Sequence, residues 1–212
     1  TVNRAVGGTA MAAPFSAPST VFNEELTSER NVAVAQLPLE DVKKIKDLSD
    51  VKVNDVVMAL CAGALRGFLE KRSELPDKPL IAFVPSSVHD ESDRPGRNQL
   101  SGMFCNLHTD IADPLERLRT IGQSNVRAKE HSSSLGPTLL LDLAQSLSRN
   151  MFGWVLGLLS RTSLGTTAIT NVVISNVAGP PMTLYSGGAE ITALYPLGPV
   201  FPGAGLNITV MS

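Results

Sequence analysis

The strongest constraint on the fold is an amphipathic pattern that runs through residues 53–71. Its apolar positions recur at helical spacing and share one face: Val53, Val56, Val57, Leu60, Cys61, Ala64, Leu65 and Phe68. Asn54 and Asp55 stand at its start, where short polar side chains can bond free backbone N–H groups. The pattern predicts a long helix that packs one face against another layer of structure.

Composition supports a folded domain and excludes several classes. Of the 212 residues, 43% are apolar and 18% are charged, which is enough apolar material for a sizeable core. Lys and Arg total 18 against 20 Asp and Glu, so we expect no nucleic-acid partner. Only Cys61 and Cys105 are present, and both lie in apolar runs. They exclude a disulfide framework and predict buried, reduced thiols and a cytoplasmic location.

Shorter elements precede this helix. Residues 1–30 carry Gly and Pro without a sustained period and are predicted to be a linker. Residues 31–37 alternate mildly and predict a strand, and residues 39–48 predict a helix. Because the chain begins at Thr1 without a methionine, we expect a fragment or a trimmed product. No signal peptide is visible.

Strands and helices alternate in the rest of the chain. Further helices are predicted at 113–131, where Asp113 and Pro114 form a strong start, and at 138–160. Strands are predicted at 80–84, 101–109, 168–177, 190–195 and 206–211. The alternation predicts an α/β or α+β layered domain. The longest apolar stretch, 151–159, is too short to cross a bilayer, though it can touch one.

Side chains able to act as a base at neutral pH are scarce. His89 opens an H-x-x-x-D pattern in a polar loop, His108 lies on a predicted strand, and His131 ends a predicted helix. For each of the three, a structural role is favoured over a catalytic one. The chain has no zinc or calcium spacing, no phosphate-binding glycine loop and no G-x-S-x-G motif, so we expect no metal site.

What remains is a set of polar residues embedded in apolar segments. Asn54 and Asp55 begin the long helix, N-V-V-I-S-N spans residues 171–176, and Asn207 and Thr209 share one strand face. A buried amide or carboxylate must find hydrogen-bond partners. These residues therefore either cap helices and anchor turns, or they support a site formed with another chain segment.

Seven ordered motifs resemble one known family. They are V-N-D-V-V-M-A-L at 53–60, V-P-S-S-V at 84–88, N-Q-L-S-G-M at 98–103, T-D-I-A-D-P-L-E-R-L at 109–118, N-V-V-I-S-N-V-A-G-P-P at 171–181, Y-P-L-G-P-V at 195–200 and G-L-N-I-T-V at 205–210. Together they resemble the bacterial wax ester synthase and acyl-CoA:diacylglycerol acyltransferase family, especially its mycobacterial triacylglycerol synthases. The chain departs from the family pattern at two turns, with V-A-G-P at 177–180 and R-N-Q at 97–99.

The resemblance implies a fold and a division of labour. It implies the C-terminal lobe of a chloramphenicol-acetyltransferase-like, CoA-dependent acyltransferase fold, with a mixed sheet and flanking helices. Residues 1–30 are then a linker from a missing N-terminal lobe, and 31–212 are the C-terminal lobe. The family's H-H-x-x-x-D-G motif is absent here. The catalytic base is therefore expected on the N-terminal half, and no catalytic residue is expected in this chain.

The implied reaction transfers a long acyl chain from acyl-CoA to diacylglycerol or a fatty alcohol. Acyl-CoA is then a substrate, and no cofactor is expected. Asn54 and Asp55 are expected to shape a helix start near the lobe interface. Ser175 and Asn176 are the candidate hydrogen-bond donors of the active-site wall. The helix at 138–159 can line an acyl channel or meet a membrane or lipid-droplet surface, although ordinary core packing is favoured.

Two other functions stay open. The chain can belong to a polyketide- or peptide-associated acyltransferase or condensation-type domain that takes its substrate from a carrier protein. It can also be a non-catalytic lipid-binding or assembly module. A preference for acyl-CoA over an acyl-carrier protein separates the first alternative from the family's own chemistry.

Overall fold

Helices and strands are interleaved along the residues that the computed structural model describes, which are 16–87, 100–132 and 168–212. The helices are α1 (Leu39–Ser49), α2 (Val53–Lys71) and α3 (Pro114–Ser132), and a short 3-10 helix spans Val21–Asn23. The strands are β1 (Ile81–Ser87), β2 (Leu100–Asn106), β3 (Val172–Val177), β4 (Tyr185–Ser186), β5 (Ala189–Glu190) and β6 (Asn207–Met211). The predicted α1, α2 and α3 are confirmed to within a residue or two at their ends.

A four-stranded mixed sheet organises these elements in the order β2-β1-β3-β6. β1 pairs antiparallel with β2, with Ile81 opposite Asn106. β3 lies between β1 and β6 and runs parallel to both. β4 and β5 form a separate two-stranded ladder. The central strand β3 is apolar at its start, as expected for a strand with neighbours on both sides.

The core lies between α2 and one face of the sheet. Met58, Ala62 and Leu69 of α2 have no exposed surface. They pack in one cluster with alternate residues of the strands: Ala82, Val84, Cys105, Val172 and Ile174. One face of α2, with its helical spacing, therefore packs against the alternate residues that the strands present on one face of the sheet. Predicted face residues Leu60 and Phe68 are instead 42% and 46% exposed, because the buried stripe is centred on Met58 and Ala62.

α3 begins as the sequence predicts. Asp113 precedes it, and the Asp113 carboxylate accepts a 2.7 Å hydrogen bond from the backbone N–H of Glu116. Pro114 takes the first helical position, where its missing N–H costs nothing. The turn before α3 is held by Arg117, whose guanidinium donates to the carbonyl oxygen of Ile111 at 2.8 Å. These contacts fix the path from β2 into α3.

Two asparagines fasten the N-terminal segment to the sheet. The fully buried Asn171 accepts a 2.9 Å bond from the backbone N–H of Ile81 and donates to the carbonyl oxygen of Pro18 and to Asn23 Oδ1. Asn23 in turn donates to the carbonyl oxygens of Thr170 and Gly203. One amide pair therefore joins the start of β1, the start of β3 and two loops.

Two predicted strands are not formed as expected. Residues 31–37 are exposed and belong to no strand, and of residues 190–195 only Glu190 pairs, in the β4–β5 ladder. Propensity alone predicted both, whereas a strand needs a partner edge. The predicted helix at 138–160, including 151–159, lies outside the described residues. The division into a linker at 1–30 and a lobe at 31–212 stays a prediction.

Replacing Asn171 tests how much its buried side-chain amide contributes to stability. We expect Asn171→Ala to lower the free energy of unfolding by about 2–3 kcal/mol, because several buried groups lose their partners. Urea denaturation measures it. Asn31→Ala is the matched control, since Asn31 is exposed, and it should change stability by less than about 0.5 kcal/mol. Equal effects from the two substitutions contradict the assigned role.

Candidate functional site

Polar side chains interrupt the sheet on the face turned away from α2. Because side chains alternate along a strand, Ser175 points away from the core that holds Ile174. In the register of β3 with β6, Ser175 lies beside Thr209. We call this surface the open face, and define it by Phe83, Phe104, Val173, Ser175, Asn207 and Thr209.

Thr209 and Asn207 are fixed by their own hydrogen bonds. The Thr209 hydroxyl donates to Asn207 Oδ1 at 2.8 Å, and Asn207 Nδ2 donates to the carbonyl oxygen of Pro199 at 2.9 Å. Gly198 lies directly against the Asn207 amide, so that any larger residue at 198 would collide with it. The Thr209 proton is thus committed to an internal acceptor.

Ser175 is the uncommitted donor of the open face. Its side chain is half-buried, and in the described part of the chain its hydroxyl makes no hydrogen bond. A hydroxyl can rotate its proton toward a ligand without backbone movement. Ser175 is therefore free to donate to a group that comes to rest on this face.

An apolar wall borders this donor. Phe83 and Phe104 pack with their ring centroids 5.4 Å apart. Phe83 lies opposite Val173 in the register of β1 with β3, two residues before Ser175. The open face therefore combines a hydroxyl donor with an apolar surface that suits an acyl chain.

Asn176, the second predicted donor, lies on the other face. It follows Ser175 on β3, so its side chain points to the side that carries Ile174. Asn176 Oδ1 accepts a 3.2 Å bond from the Ser212 hydroxyl. Strand alternation separates the two candidates, which cannot line one wall as side chains of the same surface.

Asn54 and Asp55 differ in what they do at the start of α2. Asp55 is 5% exposed, and its carboxylate accepts bonds from the backbone N–H of Lys52 at 2.9 Å and from Asn125 Nδ2 at 2.7 Å. The side chain of Asn54 bonds no backbone group of the described residues, and its amide nitrogen lies 3.7 Å from Met58 Sδ. Asp55 therefore caps α2 and ties it to α3, whereas Asn54 does not cap the helix.

The two pairs of predicted site residues are not joined to each other. Among the residues that the structure describes, no hydrogen bond links Asn54 or Asp55 to Ser175 or Asn176. The pairs lie on different elements, and only Ser175 faces the open side of the sheet. Their shared role as an active-site wall stays a prediction.

His108 has a structural environment. It lies just beyond β2 rather than on it, in the left-handed backbone region with φ of 48°. Its Nε2 atom is 3.0 Å from the hydroxyl of Ser124 on α3. Burial lowers the pKa of His108 below its usual 6.5, while the Asp110 carboxylate opposes the shift. His89 lies outside the described residues, and the side chain of His131 does too.

The thiols are buried and free, as predicted. Burial raises the pKa of Cys61 to about 11. Burial raises that of Cys105 to about 12, with a further contribution from the Asp55 carboxylate. Both thiols are therefore protonated at neutral pH and unsuited to nucleophilic attack.

A shallow groove lies beyond the ends of β3 and β6. Its volume is about 600 Å³, and it is lined by residues 179–184, residues 190–194, Met211 and Ser212. Met211 lies on the same side of β6 as Thr209, so this lining residue belongs to the side of the sheet that carries the open face. Of the described helices, none is long and apolar enough to span a bilayer.

Several contacts were missed by the sequence analysis. Asn125 and Ser124 lie mid-helix on α3, and nothing in their local pattern indicates that they bond Asp55 and His108. Asn207 and Thr209 did carry a signal, because polar residues at alternate positions of an apolar strand share one face. Within the ranges that the structure covers, no three His, Cys, Asp or Glu side chains converge on a metal site.

Removing the buried carboxylate tests the helix junction. We expect Asp55→Ala to lower the free energy of unfolding by about 2–3 kcal/mol, since Lys52 N–H and Asn125 lose a charged acceptor. Asn54→Ala, one residue away, should cost less than about 0.5 kcal/mol. Urea denaturation compares the two, and a larger loss at Asn54 would reverse the assignment.

The burial of His108 predicts a pH dependence of stability. Because its folded pKa is below the ordinary 6.5, the unfolded chain binds more protons there as the pH falls. The contribution to stability is present above pH 6.5 and is lost as the pH falls through the lowered value. His108→Asn, which tolerates the positive φ, should flatten the decline measured between about pH 8 and 5. Ser124→Ala should keep the decline, since burial causes the shift; an unchanged slope in His108→Asn would refute the mechanism.

Two family models match successive parts of the chain. The wax ester synthase/diacylglycerol acyltransferase catalytic domain matches residues 1–57, and the WS/DGAT C-terminal domain matches residues 97–212. A putative diacylglycerol O-acyltransferase of Mycobacterium tuberculosis, Rv1760, is 51% identical over the whole chain, which covers 42% of that protein. A second, Rv3740c, is 39% identical over 94% of the chain and 44% of its own length.

A solved structure has the same fold. The wax ester synthase/diacylglycerol acyltransferase from Marinobacter aquaeolei VT8 superposes with a TM-score of 0.72 and 32% identity, over 92% of this chain and 43% of that one. The predicted chloramphenicol-acetyltransferase-like fold is thereby confirmed. The chain spans less than half the length of the relatives it matches. The ordered motifs, the fold of the sheet and these matches agree. The chain belongs to the wax ester synthase/diacylglycerol acyltransferase family.

Proposed function

We propose that the chain is the C-terminal part of an O-acyltransferase that moves a long acyl chain from acyl-CoA to diacylglycerol or a fatty alcohol. The main support for this proposal is the match of the C-terminal family domain to residues 97–212. The matched range contains the polar residues of the open face, Ser175, Asn207 and Thr209. Relatives named as diacylglycerol O-acyltransferases support the substrate class. Acyl-CoA enters as a substrate, and the chemistry needs no bound cofactor.

The base for this reaction lies outside the chain. The histidine whose side chain the structure describes, His108, is bonded to Ser124 of α3, a helix that packs against α2. The catalytic-domain model matches residues 1–57, and the whole chain covers 42% of Rv1760. We infer that the N-terminal part, with its paired-histidine motif, supplies the general base. Such a base contributes about 10²–10⁴-fold to the rate.

The steps divide between the two parts. The base removes the proton of the acceptor hydroxyl as its oxygen attacks the thioester carbonyl carbon. The carbonyl oxygen becomes an oxyanion, and the Ser175 hydroxyl donates a hydrogen bond to it. The C–S bond then breaks, the ester is released, and the CoA sulfur receives the proton from the protonated base. Phe83 and Phe104 line the apolar side of the path that the acyl chain takes.

The acceptor lipids place the working enzyme at an apolar surface. Diacylglycerol and fatty alcohols concentrate in membranes and lipid droplets, since burying each methylene gains about 0.8 kcal/mol. We infer a cytoplasmic enzyme that acts at the periphery of such a surface. The groove beyond β3 and β6 opens beside Ser175's strand and offers the acyl chain an exit toward it.

If the N-terminal part supplies the base and this chain supplies the oxyanion donor, acyl transfer requires both parts. The test protein carries the N-terminal part of the Mycobacterium tuberculosis relative Rv1760 fused ahead of this chain. We expect it to form triacylglycerol from radiolabelled palmitoyl-CoA and diacylglycerol, and the chain alone to form none. In the fused protein, Ser175→Ala should lower kcat about 10²-fold with little change in KM for palmitoyl-CoA.

Ser186→Ala is the matched control, because Ser186 is exposed on β4, and it should retain full activity. Strong acyl transfer by the chain alone would show that the base lies within it. A kcat of Ser175→Ala within twofold of the unsubstituted fusion would contradict the proposal that Ser175 donates to the oxyanion. Faster transfer from an acyl-carrier protein than from palmitoyl-CoA would favour the carrier-dependent alternative.

A further inference from the structure

Residues 31–37 form an exposed segment that pairs with no strand of the described residues, and we call it the free segment. Every residue in it is exposed, and the large apolar side chains of Val32, Val34 and Leu37 are 64%, 59% and 65% exposed. Its backbone makes no hydrogen bond to the rest of the described chain. Within the described ranges, a side-chain hydrogen bond joins it to the rest of the chain, from Gln36 Nε2 to the Tyr195 hydroxyl at 2.8 Å.

The sequence of the free segment is that of a strand. β-branched Val32 and Val34 alternate with Ala33 and Ala35, which favours extended backbone. Apolar residues stand at both even and odd positions, as in strands of a sheet that is covered on both sides. Pro38 follows at once and lacks an N–H, which ends any ladder there before α1 begins. The segment thus has strand propensity and a defined end, but it pairs with none of the strands that the structure describes.

The family models indicate where the missing edge lies. The free segment falls inside the match to the catalytic domain, residues 1–57, whereas the C-terminal domain begins its match at residue 97. The relatives are more than twice as long as this chain, which covers 42% of Rv1760. The rest of the catalytic domain is therefore the partner that we assign to this surface.

We propose that residues 31–37 form a β-strand in the sheet of the N-terminal catalytic part, and that this strand donation joins the two parts of the enzyme. Pairing gives partners to the free backbone N–H and C=O groups, and it removes the three large apolar side chains from water. The Gln36–Tyr195 contact keeps the strand next to the residues that follow β5. The proposal uses the same N-terminal partner as the proposed function, but it concerns assembly rather than the chemical step.

Amide hydrogen exchange tests the pairing directly. It is measured on this chain alone and on the fusion with the N-terminal part of Rv1760, with whole Rv1760 measured in parallel over the aligned segment. We expect the amides of residues 31–37 to exchange about 100-fold more slowly in both two-part proteins than in the chain alone. Unprotected amides in a fusion or relative that is otherwise folded overturn the proposal.

A matched pair of substitutions separates backbone pairing from side-chain effects. Val34→Pro removes the N–H and should abolish the protection and lower the melting temperature of the fusion. Val34→Thr keeps the shape and the N–H and should retain the protection. Both variants should leave the melting temperature of the chain alone unchanged, because Val34 is exposed and its N–H bonds no group of the described residues. Equal protection in both variants contradicts strand pairing.

The outcomes distinguish this proposal from the proposed function. Protection of residues 31–37 without acyl transfer supports the strand and counts against the activity. Acyl transfer by a fusion whose free segment stays unprotected supports the activity and overturns the strand. Protection that appears in the chain alone and grows with its concentration assigns the segment to a second copy, and also overturns the proposal.

Discussion

The pairing of two buried side-chain amides, Asn23 with Asn171, is the constraint on which the described structure depends. Through it, the segment before α1 is bonded to the start of β1, the start of β3 and the loop before β6. A buried amide left without partners is costly, so these bonds are made together or not at all. They fix the position of β3 between β1 and β6, and with it the position of Ser175.

Strand alternation then decides which side chains can share a site. Ser175 and Asn176 are neighbours in sequence, yet one faces the open side and the other faces the core side of the sheet. The polar group that belongs with Ser175 is Thr209, its register partner on β6. The open face therefore takes residues from two strands that are more than thirty positions apart in the sequence, with an aromatic wall from two others.

Local patterns were good predictors where the physical cause is local. The helical period of α2 and the Asp113–Pro114 start of α3 act within a turn or two of their own helix, and both helices are confirmed. Residues 31–37 failed as a strand in this chain because strand propensity has no effect without an edge to pair with. The stripe of α2 was also rotated, since the sheet and α3 select Met58 and Ala62 rather than Leu60 and Phe68.

The order of predicted helices and strands determined the layered fold, and the ordered motifs indicated the family. The sequence also showed that the family's paired-histidine motif is absent from this chain. The motifs also named Asp55, Ser175 and Asn176 as polar residues that need partners. Only the tertiary structure decided what those residues do: Asp55 bonds Asn125, Asn176 bonds Ser212, and Ser175 keeps an uncommitted hydroxyl. The reason is that hydrogen bonds between distant segments depend on strand register and helix packing, which no local spacing encodes.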